Sequence, residues 1–429
     1  MKDFIKKLTK ADLFKSISWI FFGNVLYSLF KFLLDAFVAR LLSLNDNGML
    51  GYATSLIEVA TALSSLGFAS IITREFVENE NKAGESLCSC ILSSSMVALI
   101  AIAALQVIVR VSAPGEPMLH IIVLLQSSST LFSALSLFVY WFRYKNKANV
   151  VAVLRLVAFG ISALWRVLVL LLNGGLVHYA IGLASETLLF GAFLAIAFFR
   201  SYDGSFNFSF GRVKKVLKSS YPFIFSAMLT TIYGQTDKIM LKSMLDNSSV
   251  ALYNASMRLA CALSMIPSSL IEAFRPVVMS LKHKDEGMYL KRFRQLYAVV
   301  FWFSVAYGVF VTLFAKYIIL IIYGEKYIGA VPSLSLIVWF TAFSYFGSIN
   351  NMYMVSEYKS KWVQITTLSG AVANVVLNYA LIPYMGIVGA ALASLLTQFI
   401  TNFVMMWVVK DLRPGFKNMI RGIAIRDVF

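Results

Sequence analysis

The run SISWIFFGNVLYSLFKFLLDAFVAR, from Ser16 to Arg40, is apolar along most of its length and holds only Lys31 and Asp35 as charged groups before its closing arginine. About 20 mostly apolar residues suffice to cross a hydrocarbon core roughly 30 Å thick. A basic stretch of Lys2, Lys6, Lys7, Lys10 and Lys15 leads into it, and no small-residue cleavage site follows. The run is too long for the core of a signal peptide and reads as a retained first membrane span.

Similar runs continue along nearly the whole chain. With 429 residues, 59% hydrophobic, 14% charged and a mean hydropathy of +0.75, the protein cannot present a charged surface to water on all sides, so lipid is its main solvent. Spans are predicted over 16–39, 49–72, 88–112, 118–141, 148–172, 177–199, 219–242, 250–274, 295–315, 328–353, 361–381 and 386–409. The fold class is therefore an all-α membrane protein, with twelve transmembrane helices in two six-helix lobes around a central cavity. The expected division is an N-terminal lobe over 1–199, a cytoplasmic linker over 200–218 and a C-terminal lobe over 219–429 that ends in a basic tail. No loop is long enough to hold a soluble catalytic domain, and the protein is not expected to be an enzyme.

The net charge of +17 would suggest nucleic acid in a soluble protein, but here the 38 Lys and Arg residues fall between apolar runs. When loops are assigned to alternate sides, the basic residues of one side outnumber those of the other roughly four to one. That side includes Arg74 and Lys82, Arg143 and Lys145, and the linker's Arg212, Lys214 and Lys215. The positive-inside rule places it in the cytoplasm with both termini. Cys88, Cys90 and Cys261 lack metal-ligand spacing and read as packing residues. His120, His178 and His283 stand apart from one another, so neither a catalytic residue nor a metal site is expected, and no cofactor.

An internal repeat underlies the two sets of six. Asn24, Ser28, Lys31 and Asp35 lie over Ser226, Thr230, Tyr233 and Asp237 at an offset of 202, and after one inserted residue Tyr52-x-x-Ser55 is answered by Tyr253-x-x-Ser256 at an offset of 201. The spacings of four, three and four keep each set on one helix face, and in lipid such a stripe has to point inward. Six spans per repeat bring both halves in from the same side, as in transporters with parallel repeats.

Three segments resemble the Wzx-type flippases of O-antigen and capsular polysaccharide, within the multidrug/oligosaccharidyl-lipid/polysaccharide exporter superfamily. They are YPFIFSAMLTTIYGQTDKIMLKSMLDNSSVALYNASMRL from Tyr221 to Leu259, YGEKYIGAVPSLSLIVW from Tyr323 to Trp339, and NVVLNYALIPYMGIVGAALASLLTQ from Asn374 to Gln398. The first lobe is similar in span count and over Asp35 to Ser55. The resemblance implies that spans 1, 2, 7 and 8 line a cavity that opens to each side in turn. The cargo it implies is an undecaprenyl-diphosphate-linked oligosaccharide, carried outward. A polysaccharide polymerase and a chain-length regulator would be the partners, in lipopolysaccharide or capsule assembly. Lipid II flippases of the superfamily usually carry two further C-terminal spans, so an end after the twelfth favours an oligosaccharide-unit carrier.

An ionisable side chain near the bilayer centre costs roughly 2.5 to 3.5 kcal/mol on insertion scales, so each one calls for a partner or for water. Lys31 and Asp35 are one turn apart and can neutralise each other. Alternatively, Lys31 holds the diphosphate as a point charge while Asp35 orients it. Arg258 in span 8 offers planar, paired donors suited to phosphate oxygens. Asn24, Asp35, Glu58 and Asp237 are the candidate cavity and coupling residues, with a proton or a sodium ion as the coupling species. Glu58 is also placed to pair with Arg258, and Asp237 to play a structural part. Arg155 and Arg166 are close enough to the ends of span 5 to reach its borders as structural residues. Pro267 should kink span 8, and Glu272 should pair with Arg275 at its end. The other readings are a multidrug exporter of cations from the same superfamily, which a basic cavity opposes, and a membrane polysaccharide polymerase, which would need a large outer loop.

Overall fold

Lipid offers no water to hydrogen-bond a backbone N–H or C=O, so each crossing segment has to satisfy its own, and the α-helix does so along its whole length. The computed structural model describes residues 10–78, 80–202 and 204–426, which are helical almost throughout; Lys2, Lys6 and Lys7 lie outside the described residues. The first half runs α1 (Lys10–Leu41), α2 (Leu44–Ser64), α3 (Ala69–Glu78), α4 (Ala83–Ser112), α5 (Pro117–Ser133), α6 (Phe138–Tyr144), α7 (Ala148–Leu171) and α8 (Gly175–Phe199). The second runs α9 (Phe210–Met244), α10 (Asn247–Ala260), α11 (Met265–Leu281), α12 (Glu286–Ile322), α13 (Val331–Ile337), α14 (Phe340–Ser356), α15 (Ser360–Phe399), α16 (Met405–Val408) and α17 (Arg413–Ile423).

Each of the twelve expected spans falls on one of these helices or on two consecutive ones. Among the described residues, seven helices are long and apolar enough to cross a membrane, and the bent pairs at α10–α11 and α13–α14 add one each. The longest segment, Ser360–Val408, is two spans, because Gly386 breaks it with φ 58 and ψ −133. Only glycine holds that backbone conformation readily. The α2–α3 pair and α9 complete the twelve.

The breaks have local causes. Leu66 and Gly67 both carry positive φ between α2 and α3, so the second span is interrupted where a continuous helix is expected. The α10–α11 pair bends by 50°, and Pro267 lies in the first turn of α11, where its missing N–H is tolerated. The expected kink is therefore present. So is the Glu272–Arg275 pair, with bonds of 2.7 and 3.0 Å.

By contacts the chain forms two compact units. The first holds the residues up to Leu42 and Ala53–Thr231, and the second holds Ser43–Tyr52 and Ile232–Phe429. In the first, Phe76, Phe138, Trp141 and Phe198 form an aromatic core. The segment after α8 joins this core. The Tyr202 ring stacks on Phe198 at 4.8 Å, its hydroxyl accepts the Gly84 N–H at 2.9 Å, and Phe206 stacks on Phe138. Arg212 and Lys215, at the start of α9, pair with the buried Glu75 carboxylate at 2.9 and 2.7 Å.

In the second unit Phe293, Tyr297, Phe346 and Tyr353 pack at the foot of α12. Asn350 accepts the Tyr297 hydroxyl at 2.6 Å and donates to the Asn402 carbonyl at 2.8 Å. That carbonyl lies in a π-helical turn, Ile400–Val404, whose widened pitch leaves it free to accept.

Beyond Gly386, the chain passes so close to itself that a Cβ on Gly389 would lie 2.4 Å from the Leu381 carbonyl oxygen, whereas Gly160 on α7 faces open space. Gly389→Ala should therefore cost about 1 to 3 kcal/mol through forced backbone movement, seen as a lower thermal midpoint of the purified protein. Gly160→Ala, the control, should leave the midpoint unchanged or slightly higher.

Candidate functional site

α1 is exposed along two opposite faces. On one, Asn24, Ser28 and Lys31 are exposed and Asp35 is half-buried. Half a turn away, Phe22, Leu29, Leu33 and Phe37 are exposed as well. The apolar face suits lipid, but the polar face would be costly there, so it requires water. Between the two faces α1 packs on α7, where a Cβ on Gly23 would come within 2.8 Å of the Ala152 Cβ.

This close packing brings the α7 arginines to α1. The Arg155 guanidinium lies 4.6 Å from the Tyr27 ring centroid, and its Nη1 reaches Asn24 Oδ1 at 3.5 Å. Lys31 Nζ lies over the same ring at 5.8 Å. Such contacts favour a cation but leave its charge in place. The Tyr27 hydroxyl donates to Glu186 Oε1 at 2.6 Å, and Glu186 Oε2 accepts Arg166 Nη2 at 3.2 Å.

The Arg166 side chain is 1% exposed, so it does not reach the membrane border as expected. Its guanidinium donates inward to the Ser162 carbonyl and to Glu186, and Gly182 leaves it room. A buried guanidinium is tolerable only with a carboxylate partner and further hydrogen bonds, and α8 supplies the carboxylate. Glu186 is thus committed to Arg166 and Tyr27. Among the described residues, neither Lys31 nor Arg155 forms an ion pair, and the one-turn pair of Lys31 with Asp35 is not made. Two cations thus lie over one tyrosine ring, neither of them in an ion pair among the described residues.

Glu58 is exposed on α2, one turn beyond Thr54, whose hydroxyl bonds to Gln126 at 3.3 Å. Arg258 is exposed in the last turn of α10, just before the bend. Asp237, by contrast, is buried. Its Oδ1 accepts the side-chain amides of Asn374 at 3.0 Å and Asn378 at 2.7 Å, and its Oδ2 accepts the hydroxyls of Tyr253 and Ser394. The turn at Gly386 brings Ser394 back beside the two asparagines. Asp237 and Asp35 therefore share a repeat position but have different surroundings.

All four donors to Asp237 are neutral, so its charge is stabilised by dipoles alone. Asn378 is fully buried and its Oδ1 has no hydrogen-bond partner. With amide rotation, the two asparagine oxygens, the Ser394 oxygen and the carboxylate form an all-oxygen set of a kind suited to a small hard cation. Among the described residues no three His, Cys, Asp or Glu side chains gather to hold a transition metal. His120 and His178 bond to nearby backbone carbonyls.

Sequence reasoning overlooked Tyr27, Glu186 and the partners of Asp237. A usable signal was the pair Asn374 and Asn378, two amides one turn apart in an apolar span.

The profile of the polysaccharide biosynthesis protein family matches residues 13–282, and that of the MatE family matches residues 222–380. Among solved structures, the chain is similar to an inward-facing multidrug resistance MATE family transporter of the MOP superfamily, with TM-score 0.72 and 16% identity over 92% of this chain and 95% of that one. It is also similar to the lipid II flippase MurJ in an inward closed conformation, with TM-score 0.69 and 16% identity over 92% and 90%. An outward-facing multidrug resistance MATE transporter aligns over 96% of both chains with TM-score 0.62 and 16% identity. At these identities the likeness is one of fold. No curated protein matches the chain.

Removing one member of a buried ion pair strands the other. Glu186→Ala should therefore lower stability by about 3 kcal/mol, measured as the thermal midpoint in detergent. Adding Arg166→Leu should restore most of the loss.

Proposed function

The chain belongs to the polysaccharide biosynthesis protein family and is a multi-pass membrane protein with the MOP-superfamily transporter fold, and from that footing we propose that it flips an undecaprenyl-diphosphate-linked oligosaccharide. The observation that carries this reading is the pair of cations, Lys31 and Arg155, that lie over the same Tyr27 ring with no ion pair among the described residues. A guanidinium and an ammonium that form no ion pair among the described residues favour an anion, and a diphosphate carries enough charge to meet both.

The route begins at the cytoplasmic leaflet. The polar face of α1, with Asn24, Ser28 and Lys31, offers water and hydrogen bonds to the sugars, while the prenyl chain stays in lipid. Lys31 attracts the diphosphate as a point charge and Arg155 grips it with paired donors, and Arg258, in the other unit, is a further guanidinium suited to phosphate oxygens. Asp35 and Glu58 shape the field around these cations. Alternating access then delivers the head group to the outer leaflet, and no covalent bond is made or broken. Asp237 is the coupling residue: a proton or a sodium ion bound among Asn374, Asn378 and Ser394 alters the charge at the junction of α9, α10 and α15. The setting is a bacterial inner membrane with both termini in the cytoplasm, and the product passes to a polymerase and a chain-length regulator of lipopolysaccharide or capsule assembly.

The likeness to multidrug transporters supports a second reading, export of organic cations. Charge separates the two, because a pair of cations repels a cationic cargo.

Deleting the protein from its host should leave completed lipid-linked oligosaccharide on the cytoplasmic leaflet, and Lys31→Gln with Arg155→Gln should lower glycan export at least about tenfold, the effect of losing roughly 1.4 kcal/mol, at normal membrane levels. Export that is unchanged in the double variant, with a loss of resistance to cationic drugs on deletion, would favour the exporter. Asp237→Asn, which keeps the shape of the side chain, should abolish any dependence of transport on sodium or on the proton gradient.

A further inference from the structure

Immediately after the twelfth span the chain leaves helix α16 at Val408, turns at Val409 and enters α17 with Pro414 in its first turn. α17 has two opposed faces. Gly415, Asn418, Met419 and Gly422 are buried. Asn418 accepts Arg294 Nε at 2.6 Å and donates to the Leu290 carbonyl at 3.2 Å. A Cβ on Gly422 would lie 2.8 Å from the Arg294 carbonyl oxygen. This face is therefore fastened, backbone against backbone, to the foot of α12.

The other face carries Arg413, Lys417, Ile420, Arg421 and Ala424, all exposed. At 100° per residue these side chains centre half a turn away from the docked glycines and so point off the protein. From Val409 to Arg426 the one acidic residue is Asp411, and it is already engaged: its carboxylate accepts the Trp362 indole at 3.1 Å and its carbonyl accepts Lys359 Nζ at 2.6 Å. Among the described residues Arg413, Lys417 and Arg421 form no ion pair. Arg413 Nε is directed to the Trp407 carbonyl, at 3.0 Å.

Depth decides what this face meets. Trp407, 59% exposed, closes the span, and indole rings of this kind sit at the level of the lipid head groups. The first turn of α17 starts six residues further on. A stripe in which cations alternate with Ile420 at that level is complementary to a layer with phosphate oxygens above and acyl chains below.

We propose that the outward face of α17 binds the anionic phospholipid head groups of the leaflet at which the twelfth span ends, and that this contact holds α17 and the foot of α12 at the membrane surface. The charges of Arg413, Lys417 and Arg421 set the selectivity for anionic lipid, while Ile420 adds apolar contact that any lipid satisfies. This surface is separate from Lys31 and Arg155 and does not depend on the transport reading.

The test uses the full chain in nanodiscs of equimolar phosphatidylglycerol and phosphatidylcholine, with the lipids retained after mild detergent extraction identified by mass spectrometry. The wild type should retain phosphatidylglycerol preferentially. The preference should fall about fivefold for each charge removed, so that Lys417→Gln weakens it and Arg413→Gln with Lys417→Gln and Arg421→Gln abolishes it. High salt should have the effect of the triple variant. Lys31→Gln with Arg155→Gln should keep the full preference, which separates this surface from the transport site. Equal retention of the two lipids by the wild type, or an undiminished preference in the triple variant, would overturn the proposal.

Discussion

The constraint on which this structure depends is that a polar or charged group inside a bilayer has to be answered, either by another protein group or by water. Twelve helices answer the backbone. The side chains are answered in two distinct ways. Arg166 and Asp237 are buried and enclosed by protein, the first by a carboxylate and a carbonyl, the second by two amides and two hydroxyls. Asn24, Ser28 and Lys31 are left exposed on one face of α1, where water rather than lipid suits them.

These two solutions have different consequences. An enclosed charge is positional: Glu186 is held between Arg166 and Tyr27, and this fixes the ring on which Arg155 and Lys31 rest. Lys31 and Arg155 stay outside that ion pair, so the pair that supports the fold is distinct from the exposed cations. In the second unit, Asp237 is enclosed as well, and its four donors, two amides and two hydroxyls, hold it in place.

Most of the architecture was legible from one dimension. The apolar runs announce the spans because the length of a crossing helix is set by the thickness of the hydrocarbon. Lys31 stands out because a lysine in the middle of such a run violates that pattern. The spacing from Asn24 to Asp35 shows one face, since helical geometry is local. Pro267 announces the bend at α10–α11 for the same reason. Arg155 and Arg166 were visible too, but their surroundings were not. Both look able to reach the membrane border along α7, and only the packing of α8 shows that one is sealed against Glu186. Tyr27 reads as an ordinary aromatic residue until α7 places a guanidinium over it.

By itself, then, the sequence determined that this is an all-helical membrane protein of twelve spans, that its basic residues lie mainly between those spans, and that a few charges break the rule. These are properties of local periodicity and of transfer from water to lipid, both of which act on each segment alone. The tertiary structure decided which of the exceptional charges are balanced. Glu186 and Arg166 are 20 residues apart, and Asp237 lies 137 and 141 residues from its asparagines. Charge compensation depends on distances between helices, and a turn at one glycine, Gly386, is enough to bring Ser394 to the same carboxylate as Asn374 and Asn378.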